Sequence, residues 1–154
     1  MKRNIREIDI HEYMPILIDL INNGSTVPLL VSGNSMSPFL VHHRDMIFIS
    51  KPNDKLKKGD IVFFKRLNGE YVVHRIHHFD KFGQLFIIGD GQTIIEGPVD
   101  PKQIFGIVNC IKRKNKVINK KSLYWIFFKY AWIRLIKVRR IIISVYTKII
   151  NEFK

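Results

Sequence analysis

Between Val27 and about Lys114 the chain is cut into short runs of β-branched and aromatic residues, and this punctuation limits the fold more than any other feature. The runs are VPLLVSG, MIFIS, DIVFFKRL, EYVVHRIHHF, QLFIIGD and QIFGIVNCIK. Gly, Pro, Asn and Asp separate them, so each reads as a strand rather than as part of a helix. Six such strands in so short a span predict a compact antiparallel β-barrel or sandwich. Asn68-Gly69 lies between two runs and predicts a two-residue type I′ hairpin. In that register Leu67 faces Glu70, Lys65 faces Val72 and Phe63 faces His74. Cross-strand partners share a face, which groups Phe63, Lys65, Val72, His74 and Ile76.

Helical patterns flank the strands. Over residues 5–22 the apolar positions Ile5, Ile8, Tyr13, Ile16, Leu17 and Leu20 recur at helical spacing, and Asn22-Asn23-Gly24 is a stop signal. Residues 120–152 lack Gly and Pro and read as one long helix or two. The chain therefore divides into an N-terminal helix over residues 1–24, a mainly β body over 25–114 and a helical tail over 115–154.

Charge is distributed as unevenly as structure. The formal net charge is +13, and residues 112–154 hold 13 basic side chains against one acid, Glu152, a net of +12. The remainder is nearly neutral. A neutral body with a basic tail argues against the whole fold as a nucleic-acid binder, and no specific nucleic acid is expected. Cys110 is the only cysteine, so neither an intrachain disulfide nor a cysteine-rich zinc site can form. His42-His43 and His77-His78 are expected to face solvent. On a regular strand His74 and His78 share a face and His77 points away. No metal and no cofactor are expected.

No stretch approaches the roughly 20 apolar residues of a membrane-spanning helix. The N-terminal segment is interrupted by Arg6, Glu7, Asp9, Glu12 and Asp19 and does not read as a secretory signal. If residues 121–152 formed a single helix, Lys129, Lys137, Arg140 and Lys148 would fall within a narrow arc, with Tyr124, Trp125, Phe128, Tyr130 and Trp132 as interfacial aromatics. A basic amphipathic helix of this kind lies in the headgroup region of an anionic bilayer. The expectation is peripheral membrane association of an otherwise cytoplasmic chain.

The chemistry-bearing residues lie in the β body. A serine acts as a nucleophile when it is exposed on a turn, beside a base, with backbone N–H groups aimed at the developing oxyanion. Gly33-Asn34-Ser35-Met36-Ser37-Pro38 meets the first demand. His74 supplies the base: apolar surroundings on its strand favour the neutral imidazole, which can accept the proton of Ser35. Lys65, on the same face in the predicted register, is the alternative base.

These residues, taken in order, resemble a known family. The blocks are Ser32-Gly33-Asn34-Ser35-Met36-Ser37-Pro38, Lys58-Gly59-Asp60-Ile61-Val62, Val72-Val73-His74-Arg75-Ile76, Gly89-Asp90 and Ile104-Phe105-Gly106-Ile107-Val108. Over roughly residues 25–111 the chain is similar to the catalytic domain of type I signal peptidases and self-cleaving repressor peptidases, the S24/S26 serine peptidases. The resemblance implies Ser35 as nucleophile. It places His74 where bacterial signal peptidases have a lysine, the pattern of the endoplasmic-reticulum and archaeal subtype. That subtype also uses an acidic residue after the Gly-Asp block. Asp90 belongs to the block and keeps the residue type, whereas Glu96 stands where Asp is usual; either can orient the imidazole, and the intact residue type favours Asp90. Gly33 replaces the hydroxyl that some members place two residues before the nucleophile, leaving the oxyanion to backbone N–H groups such as that of Ser35. The spanning helix that usually precedes the serine is missing.

The resemblance thus implies a serine endopeptidase that cleaves a signal or leader segment, bound extended, from a precursor protein or peptide. A self-cleaving repressor needs a DNA-binding domain ahead of the catalytic domain, and 34 residues precede Ser35. The alternative is a non-catalytic membrane-surface or partner-binding module on the same fold.

Overall fold

Helix α1 (Ile10–Asn22) stops where the sequence says it should: Gly24 takes a φ of 88°, and the Ser25 N–H donates back to the Leu20 carbonyl at 2.9 Å. The computed structural model describes residues 10–152 except residue 54, so Ile5 and Ile8 of the expected helix lie outside the described residues. The buried face of α1 is Met14, Leu17 and Ile21, while Ile16 and Leu20 are exposed. The predicted stripe is thus correct at Leu17 and at the partly buried Tyr13 and rotated at Ile16 and Leu20, because the helix rests on the sheet along the Met14–Ile21 line.

The body is a mainly β, antiparallel sheet of eight strands that does not close into a barrel. Strands β1 (Val27–Leu30), β2 (Asp45–Ser50), β3 (Ile61–Lys65), β4 (Tyr71–Phe79), β5 (Leu85–Ile88) and β7 (Ile104–Arg113) coincide with the six predicted runs. Strands β6 (Glu96–Val99) and β8 (Lys116–Asn119) are additional. Both are short, and β6 contains a Gly-Pro pair that reads as a turn in sequence. The strand order is β1-β2-β7-β3-β4-β5-β6, with β8 also paired to β7. At ten residues, β7 is the longest strand; it pairs with β3 through Ile104–Ile107 and with β8 through Cys110–Arg113.

The β3–β4 hairpin corrects the predicted register. Lys65 pairs with Tyr71, Phe63 with Val73 and Val62 with His74. The Arg66 N–H donates to Glu70 O at 2.8 Å, the Gly69 N–H donates to Arg66 O at 3.0 Å, and Gly69 has a φ of 93°. The loop therefore holds three residues, and one extra residue moves each side chain to the other face of its partner strand. His74 shares its face with Val62 and Phe64, and Lys65 lies on the opposite face. A second irregularity, between Ile76 and His78, breaks strand alternation. His77 and His78 do not point apart as expected; their Nδ1 atoms approach to 2.7 Å.

Because β3 is buried on both sides, its alternating residues feed two cores. Phe63 joins Leu17, Ile21, Ile47, Ile49, Val108 and Ile111 on one side, and Val62 and Phe64 join Ile76, Leu85, Ile87 and Val99 on the other. The first core also contains Trp125, Phe128 and Trp132 from the tail. The tail is two helices, α2 (Leu123–Tyr130) and α3 (Ile136–Glu152), separated by a tight helical turn at Trp132–Arg134. Ser122 caps α2 by accepting the Trp125 N–H at 3.2 Å. Trp125, Phe128 and Trp132 are therefore core residues rather than interfacial ones. The four-residue basic arc is also interrupted, since Lys129 lies on α2 with its Nζ 3.6 Å from Asp60. Lys137, Arg140 and Lys148 are exposed on α3. No helix among the described residues is long and apolar enough to cross a membrane.

Candidate active site

Ser35 sits in the loop between β1 and β2, in a turn closed by the Ser37 N–H donating to Asn34 O at 3.0 Å. The loop enters through Gly33, whose φ of 88° suits glycine, and the Gly33 N–H donates to His42 Nδ1 at 2.9 Å. It leaves through a cis Ser37–Pro38 bond. The carbonyls of Pro38 and Phe39 then accept the Tyr124 hydroxyl at 3.0 and 2.9 Å. The Ser35 carbonyl accepts the Gly91 N–H at 2.8 Å. Gly89 packs so tightly beneath it that a Cβ there would collide with the Ser35 carbonyl oxygen.

The loop opens onto a cleft of about 560 Å³ lined by Ser35, Met36, His74 and Gln92. One wall is Leu29, Leu30 and Val31 at the end of β1, and the other is Tyr71, Val72 and Val73 at the start of β4. Strand β1 ends the sheet, and β4 pairs with β5 only from Arg75 onward. Both walls thus present backbone without a ladder partner on the cleft side.

His74 is fully buried on β4 and lines this cleft. Its Nδ1 lies 3.0 Å from Glu96 Oε1. The distance is that of a hydrogen bond but the alignment is not, so neither Nδ1 nor Nε2 has a hydrogen-bond partner among the described residues. The contact is read as electrostatic. Burial pushes the His74 pKa down to about 4, opposed by Glu96 and reinforced by Arg66. The imidazole is therefore neutral near pH 7, with Nε2 available to take a proton.

Glu96 is held from its far side. Arg66 donates Nε to Oε2 at 2.8 Å and Nη2 to Oε1 at 2.6 Å, a bidentate grip on the carboxylate. Sequence reasoning missed Arg66, because the misplaced hairpin register gave it no relation to His74. Asp90 is placed differently. Its buried carboxylate accepts Arg75 Nε at 2.9 Å and Nη2 at 2.7 Å. Arg75 also donates to Gly59 O at 3.0 Å and lies 4.7 Å from the Phe39 ring centroid. Three of the sequence blocks thus meet at Arg75. Of the two carboxylates left open by the sequence, Glu96 reaches His74 and Asp90 is taken up by Arg75. Lys65 Nζ lies 5.0 Å from the Tyr71 ring centroid, and Lys65 does not line the cleft.

A family model described as Peptidase S24-like matches residues 3–108, well over half of the chain. The chain belongs to the S24-like peptidase family. Its catalytic domain is accordingly of the serine-peptidase type. The matched region contains the Ser35 loop, His74, Glu96 and both cleft walls. No curated protein matches the sequence. Helices α2 and α3 of this S24-like peptidase lie beyond the matched residues.

Proposed function

We propose that this S24-like peptidase is a serine endopeptidase that removes a signal or leader segment from a precursor protein or peptide. The observation that carries this reading is a buried, neutral His74 lining one cleft with Ser35, its Nδ1 side facing Glu96 and its Nε2 unpartnered. In this mechanism Ser35 Oγ attacks the scissile carbonyl carbon while its proton passes to His74 Nε2. The tetrahedral oxyanion is met by backbone N–H groups, that of Ser35 among them. Collapse breaks the C–N bond, and His74 returns the proton to the leaving amine. Water then hydrolyses the acyl-enzyme by the same base. Glu96, fixed by Arg66, orients the imidazole and stabilises its charged form. Catalytic hydrogen bonds commonly tighten only around substrate, which accommodates the misaligned His74–Glu96 contact.

An extended substrate fits the two unpaired cleft walls, where backbone pairing supplies affinity and alternate side-chain pockets supply selectivity. A fluorophosphonate probe tests the assignment. Wild type should be labelled at Ser35, and Ser35→Ala and His74→Ala should not be, while both keep wild-type secondary structure. Full labelling of either variant refutes the pair, and wild type that is not labelled favours the non-catalytic module.

The proposal extends to location. Helix α3 exposes Val138, Ile141, Val145 and Ile149 at helical spacing, with Lys137, Arg140 and Lys148 beside them. This surface suits peripheral binding to an anionic membrane, with a charge term that salt screens and an apolar term that it does not. Vesicle sedimentation should weaken with salt without vanishing. Equal binding to neutral vesicles, or none to anionic ones, rejects the membrane role.

A further inference from the structure

Arg139 is the one residue of α3 that is buried among the described residues, and among them no carboxylate forms an ion pair with its guanidinium. Its two terminal nitrogens donate to carbonyls, while Nε has no hydrogen-bond partner among the described residues. Nη1 donates to Gly89 O at 3.1 Å and to Gln92 O at 2.9 Å, and Nη2 donates to Trp132 O at 3.0 Å. Trp132 completes the grip by donating Nε1–H to Asp90 O at 2.8 Å. Three carbonyls of the segment 89–92 are thus held from the tail.

The opposite side of that segment carries the nucleophile loop. Besides the Gly91 N–H to Ser35 O bond, the Asp90 N–H points to Met36 Sδ at 3.5 Å. A Cβ on Gly91 would meet Ser37 O at 2.8 Å and Asn34 O at 3.0 Å. The Gly89 N–H donates to Gln92 Oε1 at 3.2 Å, which turns the segment back toward the cleft. Nothing slack separates the Arg139 guanidinium from the Ser35 backbone: the path is one hydrogen-bonded layer of glycine-rich chain.

We propose that Arg139 is a positioning residue for the nucleophile, fixing through Gly89–Gln92 the loop that presents Ser35 to the cleft. The inference rests on the reading of Ser35 given above. A role confined to docking α3 is less consistent with the residue type. An apolar side chain would fill the site without burying a charge, whereas the planar guanidinium reaches two segments at once, Gly89 and Gln92 through Nη1 and Trp132 through Nη2. The active site of this chain is then completed by a helix beyond the matched family region.

The test uses the full chain and the fluorophosphonate probe, whose P–F bond breaks as Ser35 Oγ bonds to phosphorus. Wild type, Arg139→Ala, Arg139→Lys, Ser35→Ala and Ile21→Ala are compared for labelling kinetics and thermal midpoint. Ile21 is fully buried in α1 and does not line the cleft, so its variant reports general destabilisation. Arg139→Ala should slow the inactivation step about 10- to 100-fold, the scale of a small misplacement of a reacting group, with probe affinity little changed. Arg139→Lys should recover part of the rate. Ile21→Ala should lower the midpoint and keep the wild-type rate. Wild type that is not labelled at Ser35 removes the functional reading itself. Wild type labelled at Ser35 together with Arg139→Ala at the wild-type rate overturns only the positioning role. So does an Arg139→Ala defect matched by Ile21→Ala at equal loss of midpoint. If Arg139→Ala does not fold, folded Arg139→Lys at the full rate also overturns it.

Discussion

Acid should destabilise this protein through His74 well before most carboxylates protonate. The folded imidazole titrates at about 4 because its site is buried, whereas in the unfolded chain it titrates near the ordinary value of about 6.5. Between these values the unfolded chain binds a proton that the folded chain refuses, so stability falls as pH falls. The full contribution is present above pH 6.5 and is lost progressively down to about pH 4. At about 1.4 kcal/mol per pH unit, the loss is roughly 2 kcal/mol at pH 5 and roughly 3 kcal/mol at pH 4. Urea denaturation from pH 7.5 to 4.5, run on wild type and His74→Gln, isolates the effect because every other titrating group is common to both. The difference in unfolding free energy should slope in favour of the variant below pH 6.5. A difference that stays flat between pH 7 and 5 refutes the reasoning, since it would mean that His74 titrates alike in both states. The same titration should place the acid limb of Ser35 labelling near pH 4. A limb near pH 8 to 9 would instead indicate a lysine base.

Glu96→Gln should leave the fold intact and cut the labelling rate at least tenfold by releasing the imidazole, whereas Asp90→Asn should mainly lower the thermal midpoint, because it strips a buried Arg75 of its counter-charge; equal rate loss at matched stability in both would reject the division of roles. Gly89→Ala should reduce activity more than stability, because its Cβ displaces the Ser35 carbonyl; unchanged labelling kinetics would show that the loop tolerates the shift. Removing residues 120–154 should yield a poorly folded, probe-silent chain, since Trp125, Phe128 and Trp132 belong to the main core. A truncated chain with a cooperative transition and wild-type labelling would refute this.

The sequence made the strands legible because each run is bounded by turn residues and carries β-branched or aromatic side chains. It did not make β6 and β8 legible. Glu96-Gly97-Pro98-Val99 becomes a strand only by pairing with β5, a tertiary effect. Missing β6 obscured why Glu96 reaches His74 while Asp90, within the Gly-Asp block itself, does not. One residue of loop length at Leu67–Gly69 was enough to put His74 on the wrong face in the predicted register, so its expected neighbours Phe63 and Lys65 give way to Val62 and Phe64. The tail aromatics were not legible as core residues for a different reason. Its aromatics and lysines fit a membrane-surface pattern as one helix, and nothing local marks the turn at Trp132–Arg134 that folds the aromatics inward. Arg139 carries no sequence signal at all, being one of several basic residues in a basic segment.

The sheet that fails to close has a consequence for timing. If the proposed precursor is seated between the rims of β1 and β4, it must offer bare, fully stretched backbone along its length, which neither a folded domain nor a helix can do. Processing would then be confined to the interval in which the precursor segment is still unstructured, and a proline at a position that must donate its N–H to either rim should block cutting however well its neighbours fit. The gap in the sheet would thereby act as a clock as well as a pocket.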